Sequence, residues 1–308
     1  MGKKLQGKSI VITGSGRGIG RALAMLAAAE GAKVVVNDPG VSMDGSGSDK
    51  SPADEVVDAI RSAGGTAVAN YDSVASMQGG ENIIKTCVDS FGRIDCLINV
   101  AGILRDRMIF NMSEQEWDDV IAVHLKGHFA CTRAAVVLMR QQRYGRIINF
   151  SSISGLRGNA GQANYGAAKA GIAGFTRVVA RDLGRYGVTC NAIAPMAITR
   201  MTAAVPQRPG GVVGGDVQEM LPEHIAPMTL YLATDEAWNI NGQIFHVAGG
   251  MVSLARTETP IATITKNGKW TLEELAMLVP QYLVQGAPNP APPPDDLEIP
   301  GRPAKAPA

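Results

Sequence analysis

The sequence predicts an α/β protein built on a doubly wound parallel sheet. Short β-branched runs alternate with longer segments of helical periodicity. The β-branched runs are apolar throughout, as strands buried on both faces are. With 45% hydrophobic and 19% charged residues, the chain has a globular composition. Its 308 residues can form one domain of about 250 residues and a further segment.

The predicted elements follow one another from residue 8 to residue 250. The seven strands are SIVIT, KVVVND, AVAN, DCLINV, RIINFSS, VTCNAIA and IFHVAGG. Helices are expected at RALAMLAAAE and near residues 53–62, 82–91, 114–140 and 163–186. We therefore expect residues 1–252 to form a single domain around a seven-stranded parallel sheet.

Two loops and a C-terminal extension complete the predicted organisation. The loops, residues 40–50 and 201–219, are long enough to act as lids or substrate loops. Residues 253–285 are expected to form an extension, with a hairpin turning at Asn267-Gly268 and a helix whose capping box is Thr271 with Glu274. Residues 286–308 are rich in proline and are expected to be a disordered tail.

Charge and cysteine content favour a small-molecule partner. The net charge is +1, with 29 basic and 28 acidic residues, so no bulk attraction to nucleic acid or to an anionic membrane is expected. The cysteines have irregular spacing and are predicted to be reduced, buried thiols; they are Cys87, Cys96, Cys131 and Cys190. No apolar stretch approaches the roughly 20 residues of a membrane span, and a cytoplasmic location is expected.

The first strand runs into a glycine-rich turn, TGSGRGIG at residues 13–20, and then into a helix. Glycines at such a turn let backbone N–H groups and a helix N-terminus meet a pyrophosphate, although a tight turn alone would also need them. The turn resembles that of the short-chain dehydrogenase/reductase family, whose Rossmann-type fold binds NAD or NADP. The expected cofactor-binding residues here are Gly14, Gly16, Arg17, Gly18, Ile19 and Gly20.

Asp38 ends the second strand, about twenty residues after the glycine turn. Its carboxylate can accept hydrogen bonds from the adenosine ribose hydroxyls and would repel a 2′-phosphate, which favours NAD over NADP. Arg17 is the competing observation, because a basic residue in the glycine turn can bind that phosphate.

Three further strand ends are assigned to the cofactor by this resemblance. The segment Asn99-Val100-Ala101-Gly102 resembles the family's NNAG motif with its second Asn replaced by Val. The resemblance places Asp72 beside the adenine and Thr199 at the nicotinamide carboxamide; each polar residue could otherwise belong to an ordinary loop. The remaining expected cofactor-binding residues are Asp72, Ser73, Asn99, Ala101, Gly102, Pro195, Ile198 and Thr199.

Ser152, Tyr165 and Lys169 form the strongest candidate catalytic group. Tyr165 and Lys169 are four residues apart on a predicted helix and so share one face. A phenol with a reference pKa of about 10 is a poor base at neutral pH, and a nearby ammonium favours its phenolate. The resemblance implies that Tyr165 exchanges the proton of the substrate hydroxyl, Lys169 also binds the nicotinamide ribose, and Ser152 holds the substrate oxygen.

His124 stands where family members usually carry an Asn that supports proton transfer. A histidine can also relay protons, but a packed structural histidine fits the sequence equally well. His128 lies four residues later, and since no third ligand is evident we predict no metal site.

Within the family, several segments look like the (3R)-hydroxyacyl-CoA dehydrogenase units of peroxisomal multifunctional enzymes and their stand-alone bacterial relatives. These segments include VVVNDPG, VHLKGHF and GQANYGAAKAGI. The resemblance implies a 3-hydroxyacyl-CoA substrate and a homodimer or homotetramer. Alternatives are a hydroxysteroid or small-alcohol dehydrogenase, a 3-oxoacyl carrier-protein reductase, and a non-catalytic nucleotide-binding scaffold. Arg105 and Arg107 are candidates for binding CoA phosphates, or a salt-bridged surface pair.

Overall fold

The computed structural model describes residues 3–42, 44–47, 49–197, 220–255, 260–286, 289–291 and 293. The chain divides into two compact units, Met1–Arg256 and Thr257–Ala308.

The first unit is built on a sheet of eight strands in the order β3-β2-β1-β4-β5-β6-β7-β8. The strands are β1 (Ser9–Thr13), β2 (Lys33–Asn37), β3 (Thr66–Asn70), β4 (Cys96–Asn99), β5 (Gly145–Phe150), β6 (Val188–Met196), β7 (Ile244–Ala248) and β8 (Met251–Leu254). Strands β1 to β7 are parallel, which confirms the predicted Rossmann-type sheet.

The predicted count of seven strands is one too low, because β8 pairs antiparallel with β7 at the edge of the sheet. Gly249 and Gly250 separate the two strands, and Gly249 has a positive φ of 51°. All four residues of β8 are exposed. An exposed edge strand has no buried apolar run, which is the signal that predicts the other strands.

Helices cover both faces of the sheet. Along β1, Ile10 and Ile12 pack into one apolar cluster and Val11 packs into the other, because successive side chains point to opposite faces. The helices of the first unit are α1 (Gly18–Ala29), α2 (Ser51–Ser62), α3 (Met77–Phe91), α4 (Glu114–Ile121), α5 (Gly127–Gln142), α6 (Ile153–Arg157), α7 (Ala163–Leu183) and α8 (Ala226–Tyr231). Short 3₁₀ turns lie at Ile109–Asn111, Gly184–Tyr186 and Pro222–Ile225.

The predicted helix at residues 114–140 is interrupted by a π turn. A capping box of Ser113 and Glu116 starts α4, and the π turn at Ala122–Lys126 separates α4 from α5. By length and composition alone the span Glu114–Gln142 could cross a membrane, but core helices of water-soluble proteins meet the same criterion and 44% of its most apolar window is buried. The interruption places His124 in a π turn.

The strand order positions a cleft at the carboxyl edge of the sheet. Strand β1 lies between β2 and β4, so the chain crosses to opposite sides of β1 in its two halves. In open α/β sheets, ligands bind at this reversal point. The turns that follow β1, β2, β4 and β5 carry most of the predicted site residues.

In the second unit the predicted hairpin is absent. Residues 260–270 contain a bend at Asn267 and Gly268 and no strand. An isolated two-stranded hairpin is marginally stable in water, and Ile261 is 94% exposed. The predicted capping box of Thr271 and Glu274 does form and starts α9 (Leu272–Leu278), followed by a π turn at Val279–Leu283. Most of the predicted tail, residues 286–308, lies outside the described residues.

Candidate active site

The glycine turn brings the end of β1 against the end of β4 and the start of α1. A Cβ on Gly14 would lie 2.7 Å from Ala101 Cα, and a Cβ on Gly20 would overlap the carbonyl oxygen of Gly14. Helix α1 begins at Gly18, and no side chain caps its N-terminus. The amides of its first turn, at Gly18, Ile19 and Gly20, are therefore available to an anion. This cradle fits the pyrophosphate of a dinucleotide.

Asp38 is held against the glycine turn by two backbone amides. Its Oδ2 accepts a hydrogen bond from Gly16 N at 2.9 Å, and its Oδ1 accepts one from Gly40 N at 2.8 Å. A carboxylate oxygen can accept more than one hydrogen bond, so ribose hydroxyls can still bind there. Arg17 is exposed in the same turn. The acidic residue that favours NAD and the basic residue that favours NADP therefore both lie at the glycine turn.

Asp72 is fixed at the end of β3 by a ladder of amides. Asn70 Nδ2 donates to Asp72 Oδ2 at 2.8 Å, Asn82 Nδ2 donates to Oδ1 at 2.9 Å, and Asn37 Nδ2 donates to Asn70 Oδ1 at 2.8 Å. The Ser73 hydroxyl accepts from Ala75 N at 3.3 Å. No local sequence pattern predicts the ladder, because its members lie on separate elements. Beside it is an open pocket of about 320 Å³ lined by Lys50, Ala69, Asn70, Tyr71 and Asp72.

Thr13 organises the start of the loop after β4. Its Oγ1 accepts hydrogen bonds from Val100 N at 3.1 Å and Ala101 N at 3.2 Å. The side chain of Asn99 is buried, and its Nδ2 donates to Asn149 Oδ1 at 3.0 Å and to Thr132 Oγ1 at 3.3 Å. Asn99 therefore links β4 to β5 and α5. Sequence analysis missed Thr13. Its hydrogen-bond partners, Val100 and Ala101, follow it in the sequence by 87 and 88 positions.

Ser152, Tyr165 and Lys169 come together where β5 meets α7. Ser152 caps α6, and its Oγ accepts from Ser154 N at 3.1 Å. The Lys169 Nζ lies 5.5 Å from the centroid of the Tyr165 ring. Lys169 is 3% exposed, and its Nζ donates to the carbonyl oxygen of Phe150 at 2.6 Å. The strand end thus holds both Ser152 and the ammonium of Lys169.

Burial shifts the pKa values of both reactive groups on α7. It raises the pKa of the Tyr165 phenol to about 12; a hydrogen bond with Ser152 opposes this rise, and the charge of Asp106 adds to it. Burial lowers the pKa of Lys169 to about 7. The net shift of the phenol pKa is therefore upward, opposite to the lowering expected from Lys169, because burial destabilises the phenolate and also lowers the fraction of Lys169 that is charged at neutral pH.

His124 packs edge-on against Tyr165, with ring centroids 5.1 Å apart and an interplanar angle of 90°. Its Nε2 lies 3.0 Å from Ile103 N and 2.8 Å from Ile103 O, whereas its buried Nδ1 has no hydrogen-bond partner among the described residues. Burial and the charge of Lys169 hold its pKa well below the usual value. His124 is therefore a neutral imidazole with one ring nitrogen unused. The described residues contain no metal-binding cluster of three or more ligands.

The two arginines considered for CoA phosphates are both ion-paired. Arg105 lies 3.1 Å from Asp119, and Arg107 lies 3.0 Å from Glu116. The salt-bridge interpretation is therefore confirmed.

Two amides that sequence analysis missed support the loop before Tyr165. Asn164 Nδ2 donates to the carbonyl oxygens of Arg105 and Glu116, and Gln162 Nε2 donates to Asp106 Oδ2 at 2.7 Å. These bonds tie the start of α7 to the loop after β4.

The remaining predicted residues lie around β6. Pro195 is in β6 and pairs with Val247 of β7. Ile198 and Thr199 lie outside the described residues. The four cysteines are free and buried, as predicted. Burial raises the pKa of the Cys87 and Cys131 thiols to about 12.

Comparison with known proteins identifies a consistent set of relatives. A family model described as short chain dehydrogenase matches residues 8–209. The peroxisomal multifunctional enzyme type 2 of Mus musculus is 45% identical over 264 residues, which are 85% of this chain and 34% of the mouse enzyme. The hydroxyacyl-CoA dehydrogenase ChsB1 of Mycobacterium tuberculosis is 41% identical over 287 residues, or 90% of this chain and 89% of that enzyme. The chain spans about a third of the mouse enzyme and most of the bacterial one.

A solved structure agrees with these matches. The crystal structure of a short chain dehydrogenase from Mycobacterium avium has a TM-score of 0.78 and 47% sequence identity. The match covers 88% of this chain and 93% of that chain.

Proposed function

The chain belongs to the short-chain dehydrogenase family and is an oxidoreductase, and we propose that it uses a nicotinamide cofactor. We propose further that it oxidises the 3-hydroxyl of a 3-hydroxyacyl-CoA to a ketone, reversibly and with NAD. The observation that carries this proposal is the grouping of Ser152, Tyr165 and Lys169 at the end of β5. The substrate assignment draws support from the hydroxyacyl-CoA dehydrogenase relative, which matches this chain over nearly its full length.

The glycine turn and Asp38 would hold the dinucleotide. Uncapped amides of α1 would bind its pyrophosphate, and the Asp38 carboxylate would accept hydrogen bonds from the adenosine ribose hydroxyls. Asp72 would contact the adenine, and Lys169 the nicotinamide ribose. The nicotinamide supplies hydride chemistry when it is bound. NAD is preferred over NADP because Asp38 would repel a 2′-phosphate.

Tyr165 exchanges the proton of the substrate hydroxyl, and Ser152 holds the substrate oxygen by a hydrogen bond. A phenol with a pKa of about 12 releases its proton readily only when a cation stabilises the phenolate. The Lys169 ammonium, 5.5 Å from the ring centroid, supplies this charge when it is protonated. Burial lowers its pKa to about 7, so contact with ribose hydroxyls would help to keep it charged at neutral pH.

We extend the proposal to assembly and location. A homodimer or homotetramer would cover the apolar side chains that α5 and α7 leave exposed, which are Phe129, Val137 and Val178. A cytoplasmic location agrees with four unpaired, buried thiols.

The test is reduction of NAD, followed by nicotinamide absorbance, with 3-hydroxybutyryl-CoA, longer 3-hydroxyacyl-CoAs and hydroxysteroids. We expect turnover with the (3R)-hydroxyacyl-CoAs and NAD, and much weaker turnover with NADP. Activity on steroids or small alcohols alone would retain the mechanism and reject the substrate assignment. A preference for NADPH with 3-oxoacyl carrier-protein substrates would indicate a reductase. No oxidation of any substrate by a protein that binds NAD would favour a non-catalytic scaffold.

A further inference from the structure

His128 lies one helical turn after His124, at the start of α5, and is 2% exposed. Its Nδ1 is 2.7 Å from the carbonyl oxygen of His124, and its Nε2 is 3.3 Å from the backbone nitrogen of Phe150. The ring also interacts with the backbone of Asn99. The contact with the His124 carbonyl is shorter than that with Phe150, and a carbonyl only accepts hydrogen bonds, so we assign the proton to Nδ1 and the acceptor role towards the Phe150 N–H to Nε2. Both ring nitrogens are therefore used by one neutral tautomer. Burial keeps this form, since it lowers the pKa of His128 to about 3.

The peptide groups around Phe150 also hold Lys169. The carbonyl oxygen of Phe150 accepts the hydrogen bond from Lys169 Nζ at 2.6 Å. The Ser151 hydroxyl donates to the backbone carbonyl of Lys169 at 2.8 Å. A Cβ on Gly155 would lie 2.5 Å from Ala170 N, so α6 also packs tightly against this turn of α7. A displacement of Phe150 would therefore move the oxygen that fixes the ammonium of Lys169.

His124 belongs to the π turn at Ala122–Lys126. A π turn departs from the regular α-helical hydrogen-bond pattern, and such turns are frequent at functional sites. The side chain of His128 satisfies the carbonyl of His124 from within the same helical segment. It thus stabilises the turn that places the His124 ring against Tyr165.

We propose that His128 is a positioning residue that joins the π turn carrying His124 to the Phe150 peptide that anchors Lys169. The inference rests on the proposed function, since it assigns Lys169 to the cofactor ribose and to Tyr165. An apolar side chain at this position would remove the imidazole from the His124 carbonyl and from the Phe150 N–H, and would leave them only their backbone partners in the π turn and in the β4–β5 ladder. A serine could still donate to the carbonyl four residues before it, as serines in helices do, but could not reach Phe150.

The experiment compares three variants with the wild-type protein. His128→Leu removes both hydrogen bonds, and His128→Ser keeps only the one to the His124 carbonyl. Cys131→Ala is the matched control, because Cys131 is fully buried on the same helix and accepts or donates no hydrogen bond that reaches Phe150. For each protein, the dissociation constant of NADH is measured by nicotinamide fluorescence, together with kcat, KM for the hydroxyacyl-CoA and the melting temperature.

We expect His128→Leu to weaken NADH binding and lower kcat, each by about tenfold to a hundredfold, since small displacements of positioned groups have effects of this size. The KM for the hydroxyacyl-CoA should stay within about twofold, because the Ser152 Oγ is held by Ser154 N, whereas the His128 ring bonds to His124 and Phe150. His128→Ser should fall between wild type and His128→Leu. Cys131→Ala should lower the melting temperature without changing NADH affinity or kcat.

The proposal is overturned if, well below the melting temperature, His128→Leu binds NADH and turns over like Cys131→Ala. If His128→Leu does not fold, an unchanged NADH affinity and kcat in folded His128→Ser overturns it equally. NADH binding requires no substrate, so the affinities test His128 even if the wild-type protein does not oxidise hydroxyacyl-CoAs. That last result would reject only the proposed function.

Discussion

The imidazole of His124 lies so close to Gly102 that a Cβ on Gly102 would overlap Cε1 of the ring and lie 3.0 Å from Nε2. The ring has little room to withdraw, because His124 is 1% exposed and its ring also packs against that of Tyr165. Glycine at position 102 is therefore needed for the close approach of the loop after β4 to the π turn.

We predict that Gly102→Ala displaces His124 and Tyr165 and destabilises the protein by roughly 1–3 kcal/mol, the usual cost of overpacking. The free energy of unfolding would be measured by urea denaturation and turnover by NAD reduction, and both should fall. Gly174→Ala is the matched control, since nothing lies within 4 Å of a Cβ there and the site is inside α7. That change should stabilise the protein by roughly 0.5–1 kcal/mol. Wild-type stability and turnover in Gly102→Ala would contradict the packing argument.

Tyr165→Phe is expected to lower kcat by about 10²–10⁴, the range for loss of a general acid–base group. NADH binding should change little, because Lys169 keeps its hydrogen bond to Phe150. The control is Tyr231→Phe, which removes a hydroxyl from an exposed tyrosine on α8. Equal turnover by Tyr165→Phe and Tyr231→Phe would exclude Tyr165 as the proton-exchanging group.

Lys169→Met should stabilise the folded protein while abolishing turnover. The pKa of Lys169 falls from 10.5 to about 7 on folding, so between these pH values the unfolded chain binds a proton that the folded chain does not. The free energy of unfolding of wild type therefore rises with pH across this window, and the cost of burying the ammonium is largest at pH 7 and below.

Removing this cost should raise the free energy of unfolding at pH 7 by roughly 1–3 kcal/mol, after allowing for the unpaired Phe150 carbonyl. Urea denaturation near pH 7 and near pH 10 would measure the change and its expected decline with pH. Lys85→Met, which removes an exposed lysine paired with Asp89, should change stability by less than about 1 kcal/mol. A loss of stability in Lys169→Met at pH 7 would refute the linkage argument.

Asp38→Ser should shift cofactor preference toward NADP. Removing the carboxylate relieves its repulsion of a 2′-phosphate and leaves the exposed Arg17 as the dominant charge in the turn. We expect the ratio of kcat/KM for NADP to that for NAD to rise by about tenfold to a hundredfold. Asp44→Ser removes the same charge from an exposed position in the same loop and should leave the ratio unchanged. An equal shift in both variants would show that net charge, and not the position of Asp38, sets the preference.

Several parts of the fold and the candidate site could be predicted because their signals are local. Strands β1 to β7 are short runs of apolar, β-branched residues. Helix α1 follows a turn whose characteristic glycine spacing lies within eight consecutive residues. The four-residue separation of Tyr165 and Lys169 places both on one face of α7 in any helix. The capping box of Thr271 and Glu274 is a pattern of the same kind.

Other features depend on residues that are distant in the sequence. Thr13 fixes the loop after β4, Asn82 fixes Asp72, and His128 joins the π turn to Phe150, and no spacing rule marks any of these pairs. The edge strand β8 forms because β7 offers it a partner. The hairpin predicted near Asn267 has a local turn signal, but residues 260–270 form no strand and are mostly exposed, and an isolated hairpin is marginally stable in water.

The sequence by itself therefore determined the parallel α/β sheet, the glycine turn and the pairing of Tyr165 with Lys169, because periodicity and turn chemistry are properties of neighbouring residues. Only the tertiary structure decided that burial would raise the pKa of Tyr165 and lower that of Lys169, and that the His128 ring would contact both His124 and Phe150 at the end of β5. Burial and long-range hydrogen bonds arise only when distant segments pack together, so they depend on the tertiary structure and not on neighbouring residues.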